Sequence, residues 1–367
     1  MHKSKVKIKR QKKARKIFLY IFILFLLGNC ILFGTSYGHQ LRVEVAETIL
    51  TTEHRYLAKY TLLSQEELND LLDKINNPKW MDSKNIGWEE SFAKKIEKRK
   101  KQPLDVKIQT IYSTETAEWK FVGKLITINN PFTVKLVIQQ GTQGSDKGEQ
   151  LSVMAKRNHA LVAVNANGFS DETGRGGGAN ALGISIANGK VVHKSDENDS
   201  PALVAGLTKY GEMITGKYSV QNLLDKQVIS AAGFMPQLIV NGEKLITEGN
   251  GHWGSAPRTI MGQKKDGSIM FLVIDGRQYP YSVGATLREC QDILYENGAI
   301  NAMAMDGGAS TALYAMGQII NKPATSQQGG RFIPDAWIVT ADESQNIRVT
   351  IDGKEVTQDK IEYILES

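Results

Sequence analysis

The sequence predicts an α+β fold, in which a mixed β-sheet domain with packed helices follows one transmembrane helix and a helical stalk. A long apolar run begins at residue 17, directly after a strongly basic segment. From residue 105 onward, short apolar runs are separated by glycine, asparagine and aspartate, a pattern typical of strands joined by turns. The helical patterns among them are few and do not alternate regularly with the strands, which favours α+β over a doubly wound sheet.

The first 34 residues combine a basic tail with a membrane anchor. Residues 1–16 hold nine Lys or Arg and no acidic residue, and residues 17–33 carry no charge. About 17–21 helical residues span roughly 26–32 Å, which matches the apolar core of a bilayer. Basic residues stay on the cytoplasmic side, so we expect a single-pass protein of the cell membrane with the chain after Gly34 outside. A cleaved signal peptide is the alternative, although residues 34–39 offer a poor cleavage site.

Composition limits the partners and cofactors. The net charge of +6 comes from the tail, because the rest of the chain holds 36 basic and 39 acidic side chains. No basic face for nucleic acid is therefore expected. Cys30 and Cys290 lie in the anchor and in a distant predicted helix, so neither a disulfide nor a zinc site is expected. We expect no cofactor, with a calcium ion held by aspartate and carbonyl oxygens as the open alternative. The oligomeric state is not predicted.

The chain divides into a tail (1–16), an anchor (17–34), a stalk (35–104), a main domain (105–340) and a C-terminal hairpin or extension (341–367). In the stalk, Ser64 and Glu67 form a capping-box pattern before leucines at helical spacing, and a second helix is expected near 89–101. Helices are also expected at 148–158 and 286–297. A peripheral hairpin is expected to turn at 352–353. Strands are expected at 106–112, 119–128, 133–139, 160–165, 182–186, 268–274, 302–305 and 336–340.

Five polar clusters hold the candidate chemistry. They are VNANGF at 164–169 with a glycine run at 174–178, APRTIMG at 256–262, VIDGR at 273–277, AMDGGAST at 304–311 and GRFIP at 330–334. Taken singly, each would be an ordinary turn or a solvated surface group. Asn165 and Asn167 both donate and accept hydrogen bonds, which suits sugar hydroxyls or phosphate oxygens.

Together, the clusters place three arginines and two aspartates at strand ends, where a mixed sheet can bring them together: Arg258, Arg277, Arg331, Asp275 and Asp306. Arginine binds phosphate through paired, charge-assisted hydrogen bonds. Two carboxylates are the usual equipment for glycosyl transfer to water.

The order of these motifs over about residues 105–340 resembles the phosphodiester glycosidase family. The resemblance rests on NANGF at 165–169, PRT at 257–259, IDGR at 274–277 with GATL at 284–287, and MDGGAST at 305–311. Ala309 and Ser170 depart from the glycine and the aromatic residue usual in the family, which bears on the substrate more than on the fold. The resemblance implies catalysis by Asp275 and Asp306, and substrate binding by Asn165, Asn167, Arg258, Thr259, Arg277, Gly307, Gly308 and Ser310. Arg331 is added as a substrate-binding residue because it belongs to the cluster at the strand ends.

The resemblance also implies a hydrolase that breaks the bond between an anomeric carbon and a phosphodiester oxygen in an envelope glycan or sugar-phosphate polymer. The departing phosphate is a weak base, so the site needs charge compensation more than a strong acid. Arg258 and Arg277 are expected on the phosphate, in one cleft with Asp306. Which aspartate acts as nucleophile or base is left open. The alternatives are a non-catalytic envelope module that binds phosphate-containing polysaccharide during assembly or export, and a structural scaffold.

Overall fold

The computed structural model of the protein describes the ranges 2–52, 54–84, 100–114, 120–141, 147–170, 177–327, 329–341 and 345–366, with the backbone alone for 2–12 and 14. The chain divides into two compact units, residues 1–73 and 74–367. The stalk helix expected near 89–101 lies almost wholly outside the described residues, as do residues 174–176 of the glycine run and residue 119 of an expected strand.

The first unit is helical. Helix α1 (His2–Gly34) includes a stretch of 20 residues, Arg15–Gly34, that is long and apolar enough to cross a membrane and has no buried residue. These properties suit a membrane-spanning helix, and signal sequences share them. Two helices follow, α2 (Ser36–Leu50) and α3 (Gln65–Asn76), with a 3₁₀ helix (Arg55–Thr61) between them. The expected capping box begins α3, because the Ser64 amide donates to Glu67 Oε2 at 2.7 Å and the Glu67 amide donates to Ser64 Oγ at 3.2 Å.

The second unit is built mainly of strands. They are β1 (Leu104–Tyr112), β2 (Val122–Ile128), β3 (Val134–Ile138), β4 (Glu149–Gln150), β5 (Val162–Asn165), β6 (Ile184–Ala187), β7 (Lys190–Lys194), β8 (Ala202–Thr208), β9 (Met213–Tyr218), β10 (Val228–Gly233), β11 (Gln237–Val240), β12 (Glu243–Lys244), β13 (Arg258–Lys264), β14 (Ile269–Ile274), β15 (Ala299–Met305), β16 (Leu313–Ala315), β17 (Gln318–Ile319), β18 (Phe332–Ile333), β19 (Asp335–Val339), β20 (Ile347–Ile351) and β21 (Lys354–Glu355). Its helices are α4 (Leu151–Arg157), α5 (Val220–Asp225), α6 (Leu287–Glu296) and α7 (Gln358–Glu366), with 3₁₀ turns at Pro131–Thr133 and Gly308–Ser310.

Three larger sheets and one two-stranded sheet organise these strands. The nine-stranded sheet runs β12-β11-β15-β13-β14-β2-β1-β20-β21, and the two five-stranded sheets run β7-β6-β10-β8-β9 and β17-β16-β5-β19-β3. The two-stranded sheet pairs β18 with β4. Among the strand pairs of the described ranges, β1 with β20 is the one parallel pair. The α+β class with a mixed sheet is thereby confirmed.

The largest core cluster contains side chains from all three larger sheets, for example Phe271, Trp337 and Leu207. A second core lies on the other face of the nine-stranded sheet, where Leu287, Cys290 and Leu294 of α6 cover strands β13 to β15. Helix α4 similarly covers the sheet that contains β5, and α5 packs with β8 to β10. Alternate residues of a strand face opposite sides, so a strand buried on both faces is apolar throughout, as β14 is.

The predicted strands are present, with ends that differ by up to three residues, and the two helices predicted in the main domain are α4 and α6. Helix α6 begins at the Thr286–Glu289 capping box and ends before Gly298, whose φ is +88°. Residues 202–264 contain six strands, β8 to β13, that the sequence did not predict. One of them, β13, includes residues 258–262 of the APRTIMG motif.

The C-terminal segment differs from the peripheral hairpin that was expected. The turn lies at Asp352 and Gly353, as predicted, and both residues have positive φ. However, β20 pairs with β1 in the large sheet, and Val349 and Ile361 are fully buried in the main core. Residues 347–366 are therefore part of the domain's core packing.

Candidate functional site

The site forms where ends of strands from two sheets meet. Strand β13 is antiparallel to both β14 and β15, so its first residue lies at the same edge of the sheet as the last residues of those strands. Arg258 is the first residue of β13, and Asp275 and Asp306 directly follow the last residues of β14 and β15. Strand β5 of the second sheet ends at Asn165.

Asn165 joins the two sheets at the point where Asp306 leaves β15. Its Nδ2 donates to the Asp306 carbonyl oxygen at 2.6 Å, and its Oδ1 accepts from Thr259 Oγ1 at 2.7 Å and from the Ala312 amide at 3.2 Å. Asn165 and Thr259 are fully buried. Their polar groups are thus used within the protein, and they fix the backbone around Asp306.

The two glycines after Asp306 permit a close approach of three segments. A Cβ atom on Gly307 would lie 2.9 Å from the carbonyl oxygen of Pro257. Gly308 has φ +59°, donates its amide to that same carbonyl at 2.9 Å, and would place a Cβ 3.2 Å from the Arg277 guanidinium. A Cβ at Gly307 would collide with the Pro257 carbonyl, and a Cβ at Gly308 would strain the backbone and crowd the Arg277 guanidinium, so the Asp-Gly-Gly sequence has a structural cause.

The Asp306 carboxyl group is partly buried beside two arginines. It accepts hydrogen bonds from the Gly307 amide, at 2.9 Å to Oδ1, and from the Ser310 side chain. Burial raises its pKa to about 6, although both hydrogen bonds and the charges of Arg331 and Arg277 oppose the increase. A carboxylate of this kind is ionised at neutral pH and more basic than an ordinary aspartate, which suits a base or a nucleophile.

Arg277 and Arg331 face this carboxyl group from separate loops. The charges of Arg277, Arg331 and Asp306 act on one another, which places the three groups in one cluster. Arg277 has φ +59°, an uncommon conformation for a residue with a side chain, and its side chain is exposed. The Arg331 guanidinium lies over the Phe169 ring, 4.9 Å from its centroid. Two cations beside a carboxylate can bind an anion while the carboxylate acts on the neighbouring atom.

Arg258 is placed differently from the other two arginines. It is 5% exposed, and its Nε donates to the Ala285 carbonyl at 3.1 Å. Its Nη2 donates to the carbonyls of Trp253 and Gly254 at 2.8 and 2.6 Å. These bonds anchor the loop that precedes β13, and they commit the guanidinium to backbone oxygens.

Asp275 also has partners on both carboxylate oxygens. Oδ2 accepts from the Tyr281 hydroxyl at 2.9 Å, and Oδ1 accepts from Asn321 Nδ2 and from the Lys322 amide at 2.9 and 3.0 Å. It is 4% exposed, and burial raises its pKa. Asp275 therefore holds the turn after β14 against residues 321–322, next to Arg277.

Asn167 belongs to a buried network with an aspartate that the sequence analysis did not identify. The Asn167 amide donates to Asp335 Oδ1 at 2.9 Å, and the Ser185 hydroxyl donates to Asp335 Oδ2 at 2.9 Å. Asn167 Nδ2 donates in turn to Ser185 Oγ at 2.8 Å. Burial raises the pKa of Asp335 to about 7, and the charge of Asp306 adds to the increase.

Asp335 and Ser185 were missed because neither stands in a glycine-rich motif. The available signal was the position of Asp335, a charged residue at the start of a strand whose other residues, 336–339, are all apolar. Only the packing of three sheets shows that its carboxyl group is fully buried and close to Asp306.

No group of three or more His, Cys, Asp or Glu side chains within the described ranges could hold a metal ion.

Comparison with known proteins gives related domains. The family model described as phosphodiester glycosidase matches residues 158–340. N-acetylglucosamine-1-phosphodiester alpha-N-acetylglucosaminidase of Bos taurus is 24% identical over 222 residues, which cover 55% of this chain and 40% of that protein. The SPbeta prophage-derived uncharacterized protein YomE of Bacillus subtilis (strain 168) is 27% identical over 187 residues, 48% of this chain and 28% of that protein. This chain thus spans less than half the length of either relative.

Among solved structures, the auto-inhibited catalytic domain of the zebrafish N-acetylglucosamine-1-phosphodiester alpha-N-acetylglucosaminidase has a similar fold. The TM-score is 0.55 and the sequence identity 22%, over 65% of this chain and 84% of that one. The matched region of the family model, residues 158–340, contains every candidate site residue named from the sequence as well as Asp335 and Ser185.

Proposed function

Since this chain belongs to the phosphodiester glycosidase family through its residues 158–340, we propose that it hydrolyses the bond between the anomeric carbon of a sugar and a phosphodiester oxygen. Water adds its oxygen to the anomeric carbon, and the phosphate departs as a monoester with the electron pair of the broken C–O bond. The products are a free sugar, a phosphomonoester dianion and the proton that the attacking water gives up to the base, so atoms and charges balance.

The observation that carries the proposal is the cluster of Asp306 with Arg277 and Arg331. The two arginines compensate the charge of the departing phosphate, which is the main electrostatic requirement of the reaction. The Asp306 carboxylate, whose pKa is raised to about 6, acts on the anomeric side as base, nucleophile or stabiliser of positive charge. Asp275 is a weaker candidate because its two oxygens accept three hydrogen bonds within the protein.

We assign roles to the other residues that differ in part from those suggested by the sequence, and the contacts of each residue support the assignment. Arg277 and Arg331 are the proposed phosphate ligands, whereas Arg258 positions a loop through three carbonyl groups. Asn165, itself held by Thr259, supports the backbone of Asp306, and Asn167 holds its own segment through Asp335. Gly307, Gly308 and Ser310 shape the Asp306 loop.

We further propose that the substrate is an envelope glycan or sugar-phosphate polymer outside the membrane. The apolar helix after a basic tail supports this location, because such a tail stays in the cytoplasm. A domain tethered to the outer face of a membrane meets envelope polymers at high local concentration.

The test uses the purified full-length chain in detergent with a panel of sugar-1-phosphodiesters, and it measures released reducing sugar. The expected result is turnover by the natural protein and by Asp359→Asn, a control in an exposed position of α7, with a large loss in Asp306→Asn. Binding of the phosphodiesters without turnover would replace this proposal with the non-catalytic binding module. If the natural protein neither binds nor hydrolyses any of these phosphodiesters, both the hydrolase and the binding module are contradicted.

A further inference from the structure

A short segment, residues 166–169, forms the floor beside Asp306. The carbonyl oxygen of its first residue, Ala166, accepts a hydrogen bond from the Asp306 amide at 2.9 Å. Its last residue, Phe169, carries the Arg331 guanidinium over its ring. Between them, Gly168 lies against the Phe234 ring, because a Cβ there would be 2.9 Å from Phe234 Cε2. The floor thus touches the carboxylate loop, an aromatic ring and a cation within four residues.

Phe234 leads from this floor to a second aromatic residue. The rings of Phe234 and Trp253 meet edge to face, with centroids 6.0 Å apart and an interplanar angle of 68°. Both side chains are only partly buried. The chain after Phe234 continues beside β15, the strand that leads to Asp306, because the Pro236 carbonyl oxygen accepts a hydrogen bond from the Ala304 amide at 3.0 Å. Phe234 and Trp253, called the aromatic wall below, therefore stand next to the proposed reaction centre.

Arg258 explains how the wall is held in place. Trp253 lies in a loop, and a loop side chain normally loses conformational freedom when a ligand binds. Here the buried Arg258 guanidinium donates hydrogen bonds to the carbonyls of Trp253 and Gly254. Its Nε also donates to the Ala285 carbonyl, in the turn before α6, and so links the two segments. An arginine stays charged when buried, so this anchor persists at all physiological pH values. The wall is thus preorganised before any ligand arrives.

We propose that the aromatic wall is the subsite for the sugar ring of the substrate, with Arg258 as its positioning residue. This inference rests on the proposed function. One face of a pyranose ring presents C–H groups, which pack against aromatic rings while the hydroxyls stay in water. The sugar is covalently joined to the phosphate, so its subsite must adjoin the phosphate ligands. The floor meets this requirement. Gly168 packs against Phe234 of the wall, and the next residue, Phe169, lies beneath the guanidinium of Arg331.

The wall could instead serve only to pack the domain, and inhibition by two anions distinguishes the two roles. Inorganic phosphate engages the arginines alone, whereas a sugar 1-phosphate, such as N-acetylglucosamine 1-phosphate, also engages the wall. In full-length Trp253→Ala, we expect the inhibition constant of the sugar 1-phosphate and the KM of a phosphodiester to rise about tenfold. The inhibition constant of inorganic phosphate should stay the same, with kcat changed by no more than about threefold.

Three further variants complete the design. Trp253→Phe keeps an aromatic face and should recover most of the affinity, even if Trp253→Ala folds poorly. Arg258→Lys should weaken the binding of the sugar 1-phosphate and leave the binding of inorganic phosphate unchanged. This result is expected if Arg258 anchors the loop, whereas loss of a phosphate ligand would weaken the binding of both anions. Trp80→Ala is the matched control, because Trp80 is 45% exposed and contacts Lys217 rather than the wall.

The outcomes separate this inference from the proposed function. If Trp253→Ala weakens the binding of both anions equally, or leaves KM unchanged, the subsite is overturned. Turnover by the natural protein would still support the hydrolase. If the natural protein shows no turnover, fluorescence titration of Trp253→Ala and the natural protein with the same two anions still tests the wall. Absence of sugar 1-phosphate binding to the natural protein would overturn the subsite outright.

Discussion

Asp306 and Asp335 show how the same side chain acquires different properties within one site. Both carboxyl groups have raised pKa values because of burial, to about 6 and about 7 respectively. Asp306 lies beside two arginines and is partly exposed, so it can reach a ligand. Asp335 is fully buried and accepts its hydrogen bonds from Ser185 and a backbone amide, so it acts on the site through the Asn167 segment.

The first prediction concerns the charge of Asp306. In Asp306→Asn, kcat/KM should fall by about 10²-fold or more, because the change removes the negative charge and keeps the size of the side chain. In the natural protein, kcat/KM should decrease as the pH falls through about 6, where the carboxylate becomes protonated. Rates measured from pH 4.5 to 8 would check both statements. A rate that increases at low pH would instead assign Asp306 as an acid.

The second prediction concerns stability and Asp335. Its pKa is raised from 3.8 to about 7 on folding, so the folded state holds this proton more tightly than the unfolded state does. The stability from that proton is fully present below pH about 4 and is lost as the pH rises through about 7. Asp335→Asn, which cannot ionise, should therefore flatten the decrease in melting temperature over this range. An unchanged pH dependence of melting in Asp335→Asn would show that other groups cause the decrease.

Helix α6 is the clearest case at the scale of a single element. The Thr286 side chain accepts from the Glu289 amide, and Glu289 Oε2 accepts from the Thr286 amide at 2.8 Å, so a capping box satisfies the first turn. The helix then covers the outer face of the large sheet with Leu287, Cys290 and Leu294. Local sequence and tertiary packing agree here, which is why the sequence located this helix to within one residue at each end.

The third prediction tests that capping box. Thr286→Ala should lower the free energy of unfolding by about 1 kcal/mol, because the Glu289 amide loses its acceptor at the helix start. Thr286→Ser keeps a hydroxyl at the same position and should be close to the natural protein. Denaturant unfolding of the full-length chain in detergent measures both variants. Equal stability of the alanine and serine variants would mean that the cap contributes nothing measurable.

At the scale of the whole molecule, the chain divides into a helical first unit and a second unit in which three larger sheets share one core. The first unit contains helix α1, whose residues 15–34 are long and apolar enough to cross a membrane. The second unit includes the C-terminal segment, because β20 and α7 contribute buried residues to its main core. Truncation before residue 347 would therefore expose that core.

The fourth prediction concerns membrane topology. A reporter enzyme that works only outside the cytoplasm should be active when fused after Ser367, because the basic tail keeps the N-terminus inside. The matched control replaces the basic residues of 1–16 with glutamine, which should reduce the activity by weakening the orientation signal. Activity of a cytoplasmic reporter at the same fusion site would contradict the proposed topology. Release of the domain from membranes without detergent would favour the cleaved signal peptide.

The sequence by itself determined the apolar helix, the α+β class, the predicted strands of the main domain and the motif positions that carry Asp306, Arg277 and Arg331. These depend on local patterns: the length of an apolar run, the alternation of apolar stretches with turns, and glycines after a strand. Strands β8 to β13 did not follow from such patterns. Some of them pair with a neighbour in the sequence, as β8 does with β9, and others also pair with a distant strand, as β11 does with β15, so the sheet context decides where they form.

Only the tertiary structure decided which polar residues are available to a ligand and which ones hold loops in place. From the sequence, Arg258 and Arg277 were expected on the phosphate, with Arg331 as a further substrate-binding residue. Hydrogen bonds to the carbonyls of Trp253, Gly254 and Ala285 separate the buried Arg258 from the other two. Asp335 and the aromatic wall were found only through contacts between different sheets and loops. The physical reason is that burial, pKa and hydrogen-bond partners are properties of the surroundings of a side chain, and the chain's folding supplies those surroundings from residues far apart in sequence.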